Sequence, residues 1–103
     1  MQWVSFDNGT TIGQTGSESG VIVQDSEHPL GAKITLESAS RIAPYAITCG
    51  IYGSMVHTCF FATEQEASQQ FLLMASSLDA ILQTTESDDD LIGSISNFVE
   101  QFP

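Results

Sequence analysis

The chain has 103 residues, 42% of them apolar, and sets thirteen carboxylates against two fixed cations, Lys33 and Arg41, for a net charge of −11. That length suits a single domain, residues 1–103, able to bury a core without disulfide or metal staples. The charge excludes ordinary binding to nucleic acid or to an anionic membrane, which needs clustered Lys and Arg, and no apolar run approaches the ~20 residues of a spanning helix.

The stretch Met1–Asp7 has no basic n-region and no long apolar h-region, so no signal peptide is expected and the chain reads as cytoplasmic. Residues 2–6 alternate and contain aromatics, which predicts a first strand. Asp7-Asn8-Gly9 is a turn signal, and Thr10–Ile12 is expected to return as a short second strand. Gln14–Gly20 is small, polar and glycine-rich, and reads as a mobile connector. Val21–Gln24 is a further strand, and Asp25–Gly31 a turn region punctuated by Pro29 and Gly31. Ala32–Glu37 alternates most clearly: Ala32, Ile34 and Leu36 point one way and Lys33, Thr35 and Glu37 the other, so one face is buried and the other at least partly wet. Pro44 biases Ala43 towards extended geometry.

Ala46–Phe61 is the longest weakly charged, β-branched and aromatic run, and holds both cysteines and His57. It reads as a β-hairpin with two plausible registers. With Gly53-Ser54 as a two-residue turn, Cys49 faces Thr58, and Ile47, Cys49, Ile51, Val56, Thr58 and Phe60 share the core face. Slipping by one sets Cys49 opposite Cys59, within reach of a disulfide, but carries His57 onto the apolar face. Hydrophobic consistency selects the first register, and glycine at the first turn position suits a type II′ turn. The thiols are then free, in keeping with a reducing compartment.

Beyond the hairpin the period changes to that of helices. Thr63 with Glu66 three residues on is a capping box, and Ala67, Phe71, Leu72, Met74, Ala75, Leu78, Ile81 and Leu82 follow helical spacing over about 64–83. Ser87 caps a second helix over about 88–101, with Asp88–Asp90 in its first turn and Leu91, Ile92, Ile95, Phe98, Val99 and Phe102 as its apolar stripe. The aspartate run lacks the alternating ligands, central glycine and distal glutamate of a calcium loop.

The wet face of the sheet is expected to collect Lys33, Thr35, Glu37, Thr48, Tyr52, His57 and Cys59, with Gly50 leaving a gap beside the imidazole. These are the binding-face candidates. A His57–Cys59 pair is the minimal equipment of a thiol nucleophile, but the two sit roughly 7 Å apart along one strand, so a half-exposed histidine beside a small thiol is the plainer reading. A zinc site would need Cys49, Cys59, His57 and His28 to meet without any supporting spacing, and no phosphate loop or nucleophile elbow is present. Neither metal nor cofactor is expected.

Gly31–Glu37, followed by Pro44–Gly53 and Val56-His57-Thr58, resembles a small family of bacterial proteins of about this length with no assigned function. The resemblance covers the middle third of the chain and implies no catalytic residues.

The expected architecture is α+β: a meander-like antiparallel sheet of five or six strands within residues 2–61, followed by two amphipathic helices packed on one face. The expected function is that of a non-enzymatic binding or interaction module, homodimeric through a sheet edge or through an exposed patch of Tyr52, Met55 and Phe61. The alternatives are an acidic immunity or antitoxin-like protein that neutralises a basic partner, and a small enzyme using Cys59 and His57.

Overall fold

A computed structural model describes residues 2–103; Met1, which opens the stretch read for a signal peptide, lies outside them. Five strands, β1 (Val4–Ser5), β2 (Val21–His28), β3 (Ala32–Ser38), β4 (Tyr45–Ile51) and β5 (Met55–Phe61), form one antiparallel sheet in chain order. Two helices follow, α1 (Glu64–Thr84) and α2 (Asp88–Gln101). The fold is the expected α+β meander with five strands, and α1 crosses β3, β4 and β5 on one face.

The helix ends follow from local chemistry. The Thr63 hydroxyl accepts from the Glu66 N–H at 3.2 Å, and the Ser87 hydroxyl from the Asp90 N–H at 3.2 Å. Each satisfies one of the orphan donors at a helix start. Asp88, Asp89 and Asp90 then fill the first turn of α2, where negative charge suits the dipole. The sheet side of the core is Ala32, Ile34, Leu36, Ile47, Cys49, Ile51 and Cys59; the helices answer with Ala67, Phe71, Met74, Leu78, Phe98 and Phe102. Leu72, Leu73 and Ile92, although apolar, face outward.

Three segments differ from expectation. Residues 10–12 form no strand: Asp7, Asn8 and Gly9 all take positive φ, and Thr10 donates from its hydroxyl to the Asp7 carbonyl and carboxylate. These local bonds curl the chain into successive turns, and β1 pairs with β2 through Val4↔Glu27. β2 continues through the expected turn region to His28, and the reversal is confined to Pro29–Gly31, with the Gly31 N–H bonded to the His28 carbonyl.

The third difference is the central hairpin. Its register is neither of the two expected from the pattern: Ile51 faces Met55, Cys49 faces His57, and Ile47 faces Cys59. The loop is three residues, Tyr52-Gly53-Ser54, closed by the Ser54 N–H on the Ile51 carbonyl at 2.9 Å. Gly53 has φ +78, as the third position of a type II turn requires. Relative to the expected register, β5 is turned over. Met55, His57, Cys59 and Phe61 lie on the helix face, while Val56 (81% exposed), Thr58 and Phe60 (38%) lie on the other. Val56 and Phe60 therefore do not meet the helices, and Tyr52, Met55 and Phe61 do not gather on the free face.

Candidate functional site

The face of the sheet turned away from the helices carries Ile22, Asp25, Lys33, Thr35, Glu37, Thr48, Gly50 and Val56. Part of it is roofed by residues 6–20, and two buried carboxyl groups hold that roof. Glu37, fully buried, accepts the Gly20 N–H at 3.0 Å and the Glu18 N–H at 3.2 and 3.3 Å. Asp25, 4% exposed, accepts the hydroxyls of Thr11 (2.8 Å) and Thr35 (2.7 Å). The stretch expected to be a mobile connector is thus tied at Glu18 and Gly20. Gly16 lies so close to Glu37 that a Cβ there would fall 2.3 Å from the carboxyl carbon, so this approach requires glycine.

Where the roof stops, at Gly16-Ser17, a cleft of about 640 Å³ opens between it and the tip of the β4–β5 hairpin. Its floor is Thr35, Thr48 and Gly50, which are register neighbours on β3 and β4. Ile22 and Ser17 close one side, Lys33 and Tyr52 another, and Gly53–Val56 the far end. Gly50 presents no side chain above its strand, and the Met55 carbonyl would lie 2.9 Å from any Cβ placed there. That missing side chain deepens the floor.

Lys33 is the cleft's one cation. Its ammonium lies 3.7 Å from Asp25 and 3.8 Å above the Phe6 ring, an arrangement that combines an ion pair with a cation–π contact. The side chain stays one-third exposed. With three N–H donors and these two neighbours, it has a donor to spare towards the cleft. Thr48 shares its hydroxyl with Thr58 at 3.3 Å and Ser17 at 3.5 Å. The Tyr52 phenol donates to Glu27 at 2.5 Å. Partial burial, then that hydrogen bond and the charges of Glu27 and Asp25, push its pKa up to about 12.

Of the seven binding-face candidates, Lys33, Thr35, Thr48 and Tyr52 line the cleft, and Glu37 lies under its roof. His57 and Cys59 are on the opposite face. The His57 Nε2 and the Cys59 thiol (3.3 Å) both donate to the Phe102 carbonyl just beyond α2, and His57 meets Phe98 edge to face. The two side chains converge on a backbone oxygen and hold down the C-terminus. Burial raises the Cys59 thiol pKa, and burial with the nearby Cys59 pushes Cys49 up to about 12. Thiolate is the nucleophilic form, so neither cysteine is activated. Both are free.

Asp25, Ser17 and Gly16 belong to the site although the sequence pattern does not single them out. A bulge between Ile22 and Gln24 breaks the alternation of β2, and turns Asp25 onto the same face as Ile22. His28, which the sequence suggests only as a zinc ligand, is buried on the helix side at the far end of the sheet. Its Nδ1 accepts the Leu30 N–H at 3.1 Å, so the proton sits on Nε2, which donates to Asp79 at 2.6 Å. Trp3 covers it edge-on and donates to the Ala75 carbonyl. Among the described residues, no group of three or more His, Cys, Asp or Glu side chains is placed to hold a metal, and no helix is long and apolar enough to cross a membrane.

Comparison with protein-family models, with curated proteins and with solved structures finds no match to this chain, and so no relative to support the resemblance of its middle third to a bacterial family.

Proposed function

We propose that this protein is a non-enzymatic binding module, and that its cleft takes a small, mostly apolar molecule carrying one hydrogen-bond acceptor. The observation that supports this reading is the composition of the cleft: mostly apolar walls over a glycine-deepened floor, with a single ammonium at one side. Concave sites of 300–1,000 Å³ with a few converging polar groups are the usual form of a small-molecule site. Asp25 already balances the charge of Lys33, and the chain as a whole carries −11. A carbonyl or ether oxygen suits the spare donor better than a free anion, which the surrounding field repels.

The enzymatic reading has less support. His57 and Cys59, the pair it would use, lie on the opposite face of the sheet and are both bonded to the Phe102 carbonyl.

The test uses 6-propionyl-2-(dimethylamino)naphthalene, a neutral fluorescent probe with apolar rings and one carbonyl acceptor. Saturable binding at one site is expected, weakened by about tenfold or more when Thr48→Phe fills the floor. Absence of saturable binding, or equal binding by the filled variant with its near-UV circular dichroism retained, overturns the proposal.

A further inference from the structure

We infer that the open edge of β5 pairs, antiparallel and centred on Thr58, with β5 of a second copy of this chain. The two edges of the sheet are unlike. At the β1 edge only Val4 and Ser5 pair, and the chain then curls away through Asp7–Gly9. Such an edge is too short to template another strand. At the other edge β5 presents seven residues, Met55–Phe61, bonded to β4 on one side and to no strand among the described residues on the other. It contains no Lys, no carboxylate and no proline, which are the devices that ordinarily guard an edge.

A copy of the chain suits this edge in two respects. The first is charge. Each copy carries −11, so two copies can approach closely only where charge is locally absent, and β5 is an uncharged strand. The second is self-complementarity. Keeping the helices of both copies on the same side of a continuous sheet requires the register to be centred on a residue, because directly opposed side chains share a face. Centring on Thr58 is the choice that pairs all seven residues. It places Val56 of each copy against Phe60 of the other, twice by symmetry, as an isologous contact demands. Val56 and Phe60 are the two exposed apolar residues of β5, and an aliphatic–aromatic cross-strand pair is among the favourable ones. The two five-stranded sheets become one of ten, and since Val56 lines the cleft, the partner's Phe60 extends the cleft wall. The inference does not rest on the cleft's having a ligand.

The test is the mass of the full chain by sedimentation equilibrium, at salt high enough to screen repulsion between copies. The wild type is expected at twice 11.1 kDa. Val56→Lys places a guarding charge on an exposed position, so it should be monomeric with unchanged circular dichroism, and its Tm should lose the dependence on protein concentration that a dimer shows. Thr58→Cys should form a covalent dimer under mild oxidation, since the introduced thiols face each other across the dyad, whereas Ser54→Cys in the hairpin loop should not. A monomer at every concentration up to the millimolar range overturns the inference. So does a dimer that persists in Val56→Lys, or one in which Thr58→Cys cross-links no better than Ser54→Cys.

Discussion

The two faces of the sheet bury comparable lengths of the same strands and do so by different physics. On the helix face Ile34, Ile47, Met74, Leu78 and Phe98 are sealed from water, and the polar groups buried among the strands there have partners. His57 and Cys59 share one carbonyl; His28 has Leu30 and Asp79. On the other face no α-helix packs among the described residues. A polar loop is held down by two buried carboxyl groups, each gripping hydroxyls or backbone N–H groups. Apolar area holds one cover and hydrogen bonds hold the other. A cover made of hydrogen bonds can stop short, because it need not exclude water from a whole surface, and the cleft opens where it stops.

The largest test of this contrast removes packing from the helix face. Phe98 is 2% exposed and packs against His57 and Phe102. Phe98→Ala should cost about 3–5 kcal/mol, as aromatic-to-alanine changes in cores do, whereas Val4→Ala, exposed on the other face, should stay within about 0.5 kcal/mol. Urea denaturation of the two variants reads both values. A loss below about 1 kcal/mol for Phe98→Ala would mean that α2 is a loosely held appendage, and the comparison would break at its stronger half.

The next test acts on the hydrogen-bonded cover. Glu37→Gln keeps the shape and replaces an accepting oxygen by an amide that cannot accept. The remaining oxygen, at the Oε1 position, can still receive both N–H groups, but the Glu18 N–H then faces an NH2 group where it had Oε2 as a second acceptor, which costs about 1 kcal/mol. Amide exchange at Glu18 and Gly20 should quicken while that of β3 and β4 does not, because the weakened bonds pin the roof and not the sheet. Unchanged exchange at both amides would show that something other than Glu37 holds the loop.

Where the sequence is legible follows the same division. The helices can be read because Thr63 and Ser87 act within one turn of themselves, and their apolar stripes need only the helical period. β3 can be read because Lys33, Thr35 and Glu37 alternate without interruption against Ile34 and Leu36. β5 cannot. Gly53 accepts positive φ in a two-residue or a three-residue loop alike, and the two faces of Met55–Phe61 are almost equally apolar, so pattern does not choose between them. What decides is His57, which tolerates the core side because a carbonyl from residue 102, 45 positions away, receives its proton. Asp25 and Glu37 are hidden for the same reason: their partners, Thr11, Glu18 and Gly20, lie on a loop whose path no local signal specifies.

The smallest effect sharpens the contrast at a rim, where His28, buried on the helix face, reaches the half-buried Asp79 on α1. Because Leu30 donates to Nδ1, the ring is the Nε2–H tautomer and donates to the Asp79 carboxylate. That bond, helped by one from the Gln83 side chain and opposed by partial burial, holds the Asp79 carboxyl below its ordinary value of 3.8. A carboxyl whose folded value is depressed binds fewer protons folded than unfolded, so its contribution is present in full above that ordinary value. It is lost as pH falls through the folded one. Asp79→Asn should therefore melt lower than the wild type at neutral pH, and the gap should close as the pH drops below about 4. Thermal melts of both proteins across the acid range measure it. A gap that stays constant into strong acid would assign the loss to altered packing around His28 and not to the ionised bond, because packing does not titrate.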